Sequence, residues 1–109
     1  MPDLIARLEA AAADEQQNLV LECLNLAYKH QWLPMRAYAV AVSWCMTGAY
    51  ESAALTLVPE GYEWTIGLVN TRGFCSLGPE GTFTTTAEVD AATPALAICA
   101  AALKARSES

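Results

Sequence analysis

The chain has 109 residues, of which 54% are hydrophobic and 17% charged, and its twelve carboxylates outnumber six basic side chains to give a formal net charge of −6. That size and balance predict one self-sufficient domain spanning 1–109 and exclude a disordered chain. The basic residues Arg7, Lys29, Arg36, Arg72, Lys104 and Arg106 are scattered, so the chain lacks the clustered cations that release counterions from a phosphate backbone, and no nucleic acid partner is expected.

Asp3 can cap a first short helix whose period is set by Leu4, Ile5 and Leu8. Asp14 and Gln17 have the spacing of a capping box and predict a second helix running to about His30, burying Leu19, Cys23, Leu24, Leu26 and Ala27. The next segment, QWLPMRAYAVAVSWCMTG, carries two patterns at once. Tyr38, Val40, Val42, Trp44 and Met46 alternate as in a strand, whereas Met35, Ala39, Val42 and Met46 repeat as in a helix. The alanines, and Pro34 at a first helical position, favour helix over 35–46. Thr47 can then cap a further short helix through about Val58.

In LTLVPEGYEWTIG the period changes. Pro59 cannot donate inside a helix, and Gly61 tolerates positive φ, so PEG ends the helical part at 58 and reverses the chain. Tyr62, Trp64, Ile66 and Leu68 then fall on one strand face and Glu63, Thr65 and Gly67 on the other. Asn70 to Gly73 is a predicted turn, GFCSLG a second strand, and TFTTTAEV a third, completing a meander over 62–89. In ATPALAICAAALKAR, Thr93 caps a final helix over 94–106 with Pro94 in its first turn. Leu96, Cys99, Ala100 and Leu103 form its apolar stripe, and Lys104 and Arg106 lie at the negative end of its dipole. The predicted class is α+β, with N-terminal helices, a three-stranded antiparallel β-meander and a C-terminal helix packed on the sheet.

Through LIARLEAA, AALTLVPEGYEW and ATPALAICAAALKAR the sequence resembles a family of small uncharacterised proteins of bacterial genomes and prophages, and more loosely the phage ABA-sandwich domain proteins. The match covers the first ten residues and the half from Tyr50 to Arg106. The resemblance implies an αβββα core and a phage or mobile-element origin, and it brings no catalytic residues with it.

Few residues have the spacing that chemistry needs. Cys23, Cys45, Cys75 and Cys99 lie more than twenty residues apart in apolar segments, without the close pairs of a zinc site, and read as reduced core thiols. Cys23 and His30 share a helix face, but seven residues of rise separate them by about 10.5 Å, too far for a thiol and its base. Glu88 and Asp90 project from one strand face roughly 6–7 Å apart, a spacing that suits a carboxylate pair but more often marks a solvated edge. GPEGT lacks the lysine of a phosphate loop. Trp32, Tyr62 and Trp64 are candidate interface anchors because binding energy concentrates in such side chains. Thr84 and Thr86 mark an edge strand open to a second copy of the chain or to a partner strand.

The longest apolar run, AYAVAVSWCMTGAY, covers about half of the ~20 residues of a membrane span, and PDLIARLEAA reads as an ordinary amphipathic helix, so export is not expected. The resulting expectation is a non-enzymatic, cytoplasmic protein of phage type, without cofactor or metal, that binds a host protein, for example in a defence complex such as a CRISPR nuclease. The alternative is a sponge that holds a nucleotide-like signal in an aromatic pocket. The candidate binding set is Trp32, Tyr62, Trp64, Thr84, Thr86, Glu88 and Asp90.

Overall fold

The computed structural model describes residues 2–81 and 85–108. The elements in chain order are α1 (Pro2–Ala10), a 3₁₀ turn (Ala13–Glu15), α2 (Gln16–Lys29), α3 (Met35–Met46), α4 (Tyr50–Leu55), β1 (Tyr62–Val69), β2 (Arg72–Pro79), β3 (Ala87–Ala91) and α5 (Pro94–Glu108). The strands form one antiparallel sheet in the order β1-β2-β3, with α5 packed on it. This is the predicted α+β arrangement.

The last helix holds the structure together. In α5 every residue from Ala95 to Leu103 is buried, as is Ala105. A stripe over Leu96, Cys99, Ala100 and Leu103 is therefore too narrow a description: α5 packs against α1, α2, α4 and all three strands, and a helix apolar on every side is stable only when enclosed. Its six alanines favour the helical backbone and let neighbours approach closely, while Leu96, Ile98 and Leu103, all fully buried, each contribute about 1.5–3 kcal/mol. Thr93 Oγ1 accepts from the Leu96 N–H at 3.2 Å and Pro94 opens the helix, as predicted.

Sheet register decides which strand residues face α5. Ile66 pairs with Cys75 and Cys75 with Val89; Trp64 pairs with Leu77 and Leu77 with Ala87; Leu68 pairs with Gly73 and Gly73 with Ala91. Paired residues share a face, so Tyr62, Trp64, Ile66 and Leu68 lie on the helix side, as the alternation predicts. Phe74 pairs with Gly67 and Asp90 and lies on the outer face. Gly73 is the contact that admits α5: a Cβ there would stand 2.1 Å from the carbonyl carbon of Thr93 and 2.2 Å from the nitrogen of Pro94.

Several local expectations are corrected. Glu15, not Gln17, reaches back to satisfy a free amide, its carboxylate accepting from the Ala12 N–H at 2.8 Å; the 3₁₀ turn delays α2 to Gln16. Thr47 closes α3 rather than opening α4, because its hydroxyl lies within reach of the Ser43 and Trp44 carbonyls at 3.0 and 3.1 Å. Gly48, at φ +91°, completes that stop, with Ala49 N–H bonded to Trp44 O. The helix α4 therefore spans only Tyr50–Leu55. The turn after β1 is tighter than 70–73: Asn70 and Thr71, at φ 51° and 66°, form the two-residue link, and Gly73 already belongs to β2. The third strand starts later than TFTTTAEV. Residues 82–84 lie outside the described residues, Thr85 and Thr86 precede the strand, and β3 extends to Ala91, past the predicted 89.

The two PEG sequences meet in space. Glu80 N–H donates to Gly61 O at 2.7 Å, and Gly61 and Gly81 share φ near +80°, at 82° and 80°. They close the same end of the β1–β2 ribbon.

Two substitutions test this account in opposite directions. Gly73→Ala forces backbone apart and is expected to cost ~3 kcal/mol, whereas Gly67→Ala, which meets nothing within 4 Å, stays within about 1 kcal/mol. Thr71→Gly relieves a β-branched residue of positive φ and should stabilise by about 1 kcal/mol. Urea unfolding followed by circular dichroism reads all three.

Candidate functional site

The predicted candidates do not converge on one cleft. Trp32 follows a helix stop in which Gln31, at φ 62°, takes the left-handed position, and Gln31 and Trp32 N–H groups bond to Tyr28 O and Ala27 O. That backbone lock holds the half-buried indole against the core. The ring stacks on His30 with centroids 5.2 Å apart, and the Arg106 guanidinium sits 4.5 Å from its centroid while Arg106 Nε donates to Leu57 O at 2.9 Å. Burial lowers the Arg106 pKa below its ordinary value. Trp32 thus joins the ends of α2, α4 and α5.

Tyr62 is half-buried and also packs on the core. Trp64, two residues on, is 52% exposed, because α5 lies over β2 and β3 and leaves the helix-side face of β1 partly bare. Thr84 lies outside the described residues. Thr86 precedes β3, its N–H bonded to Leu77 O at 2.7 Å, so it does not form the hydroxyl-lined edge that was expected. Glu88 and Asp90 are exposed on the outer sheet face, as their spacing predicts. Among the described residues no group of three His, Cys, Asp or Glu side chains is arranged to hold a metal ion.

The thiols cluster in the core. All four are free and buried, and Cys99 lies close enough to Cys23 to share a hydrogen bond. That bond and burial raise the Cys99 pKa well above its ordinary value; burial alone raises Cys45, and pushes Cys75 from 9.0 to about 11. Protonated buried thiols are poor nucleophiles. Cys23 is sealed in the core while His30 stacks on Trp32 at the surface, so the two do not meet.

The sequence reading missed the exposed apolar residues of α3. Its core contacts come from Ala41 and Cys45, helped by Ala37, Tyr38 and Val42, and Tyr38 stacks on Tyr28 of α2 at 4.6 Å. Met35 and Met46 are 69% and 58% exposed, and Val40 and Trp44 42% and 41%. The helical repeat of Met35, Ala39, Val42 and Met46 is therefore split: Val42 packs on the core, while Met35, Ala39 and Met46 turn away from it. Between Glu22 and Glu51 the sequence has no carboxylate, and α3 carries a single charge, Arg36. This acid-free run in an acidic chain was the available signal. An open depression of about 540 Å³, lined by Tyr28, Lys29, Gln31, Leu33, Pro34 and Met35, adjoins the start of α3.

Compared with known proteins, the chain matches no family model, no curated protein and no solved structure. Among the described residues no helix is long and apolar enough to cross a membrane.

The thiol environment gives a measurable outcome. In the folded chain at neutral pH none of the four cysteines should react with an aromatic disulfide reagent, and all four should react in denaturant; one fast native thiol contradicts the assignment. The raised pKa values favour the folded state fully below the ordinary value of 9.0, and that contribution is lost as pH climbs toward 11. The urea midpoint should accordingly fall across that window, and fall less steeply in Cys75→Ala.

Proposed function

We propose that the chain is a non-enzymatic protein-binding module that docks the outer face of α3 against a partner protein. The observation that carries this reading is the exposed set Met35, Ala39, Val40, Trp44 and Met46 on a helix with one charge. At about 100° per residue, Met35, Ala39 and Met46 fall on one flank of that face and Val40 and Trp44 on the other, with Arg36 and Ser43 between them. Methionines give such a face adaptability and tryptophan gives it an anchor. The fitting partner presents an apolar helix or groove with an acidic rim, which would meet Lys29 and Arg36. Joined with the sequence resemblance, the narrower form of the proposal is a phage-type accessory protein that engages a host protein, for instance a component of a bacterial defence nuclease. The ligand-sponge alternative has less to support it, since neither the depression beside α3 nor the one bounded by Gln16, Gly48–Ser52 and Thr93–Pro94 is lined by Trp32, Tyr62 or Trp64.

A photo-crosslinking residue in place of Val40, used in bacterial cells, should capture one heavier protein. The same residue at Thr65, on the outer sheet face, should not capture it. Met35→Glu with Met46→Glu should weaken that complex more than tenfold, a loss above about 1.4 kcal/mol, while the melting temperature changes little because both side chains are exposed. Capture unaffected by the double substitution, or a product containing only a second copy of the chain, contradicts the reading.

A further inference from the structure

The sheet has two edges, and they differ in kind. β3 is five residues long with Glu88 and Asp90 exposed, the short, charged form in which natural edges resist pairing. β1 is eight residues long, carries only Glu63 as a charge, and exposes Trp64 at 52%, Leu68 at 69% and Val69 at 54%. No backbone hydrogen bond joins Tyr62–Val69 to any described element except β2. Its outward amides and carbonyls form an open template.

We infer that β1 pairs antiparallel with β1 of a second copy across a two-fold axis at Ile66, forming a continuous six-stranded sheet. The register follows from the side chains. Both copies must keep their helices on the same side of the joined sheet, which restricts pairing to residues of the same face. With Ile66 opposite the second copy's Ile66, Trp64 falls opposite the second copy's Leu68, and Leu68 opposite its Trp64. The two most exposed side chains on the helix side of β1 then cover one another, as an aromatic–aliphatic cross-strand pair. On the outer face, Thr65 meets Gly67 and Glu63 meets Val69.

Charge favours the same register. Two chains of net charge −6 repel, yet the paired strips bring only two carboxylates with them, and six residues of strand hold these about 20 Å apart, beyond the Debye length at physiological salt. About six to eight new backbone hydrogen bonds form. The joined strips cover roughly 1,000 Å² in total, the size at which specific interfaces begin. On the helix side of β1, Tyr62 and Ile66 pack on the core while Trp64 and Leu68 stay exposed toward the free edge, so the join leaves the helical layer of each copy in place. This contact does not use α3, and it stands or falls separately from the binding role proposed for that helix.

Sedimentation at micromolar concentration should give a species of twice 11.7 kDa. Leu68→Lys should weaken the dimer at least tenfold without unfolding a side chain that is already exposed, whereas Val40→Lys on α3 should leave it intact. Register is read by mixing a Glu63→Cys chain with a Val69→Cys chain. A short bifunctional thiol reagent should join the two across the axis but should not join Glu63→Cys chains to each other, and the native cysteines are buried and silent. A monomer at these concentrations, a dimer that survives Leu68→Lys, or cross-linking between Glu63→Cys chains alone would each overturn the inference.

Discussion

Enclosure of α5 is the constraint on which the rest depends. A helix whose every side is apolar has no face to give to water, so a layer must close over each side: the sheet beneath, α1 and α4 beside it, and α2 with them. Alanine makes this feasible because small side chains allow close approach from several directions at once. Gly73 extends the same logic to the backbone, giving up its side chain where β2 passes the start of α5. The four cysteines lie in the resulting interior, where low polarity keeps the thiols protonated. Surface ion pairs such as Arg7–Glu22 and Lys104–Glu9 fasten α1 to α2 and to α5, but exposed pairs of this kind add little beside burial of the apolar core.

Much of this was legible in the residues, and the failures have physical causes. Turn and cap chemistry is local, which is why Pro59–Gly61 and Thr93–Pro94 could be read directly. Period two in YEWTIGL identified the helix-side face of β1, and helix was the better reading of 35–46. Orientation was harder. Met35, Ala39, Val42 and Met46 have core spacing, yet α3 buries Ala41 and Cys45, because two of the helices are apolar on most sides and only one can occupy the centre. The alanine content of α5 and the bulk of Tyr, Trp and Met in α3 decide which, and neither is visible to periodicity alone. The threonine run was overvalued for a similar reason. β-propensity describes what a residue tolerates, while pairing with β2 begins only at Ala87 opposite Leu77. Trp32, read as a candidate anchor for a partner, also ties the chain to itself through a contact with Arg106, seventy-four positions away in sequence.

Charge and apolar exposure are complementary on this surface. Carboxylates gather at the PEG end of the β1–β2 ribbon and on the outer sheet face, in Glu60, Glu63, Glu80, Glu88 and Asp90. The α2–α3 region has none from Cys23 to Tyr50. Such a division concentrates like charge in one region while leaving another free for apolar contact. If β1 also joins two copies, each assembly presents two α3 faces, and a partner with repeated sites would be held by both arms, with avidity set by the rigid spacing between them.

The position of α5 in the chain also has a consequence for synthesis. It is translated after every element that it organises, so a nascent polypeptide carries α1 through β3 with their inward faces unsatisfied until the alanine-rich segment emerges. Completion of the core must then wait for contacts distant in sequence, such as those between α1 and α5, whose loop-closure entropy is paid before they form.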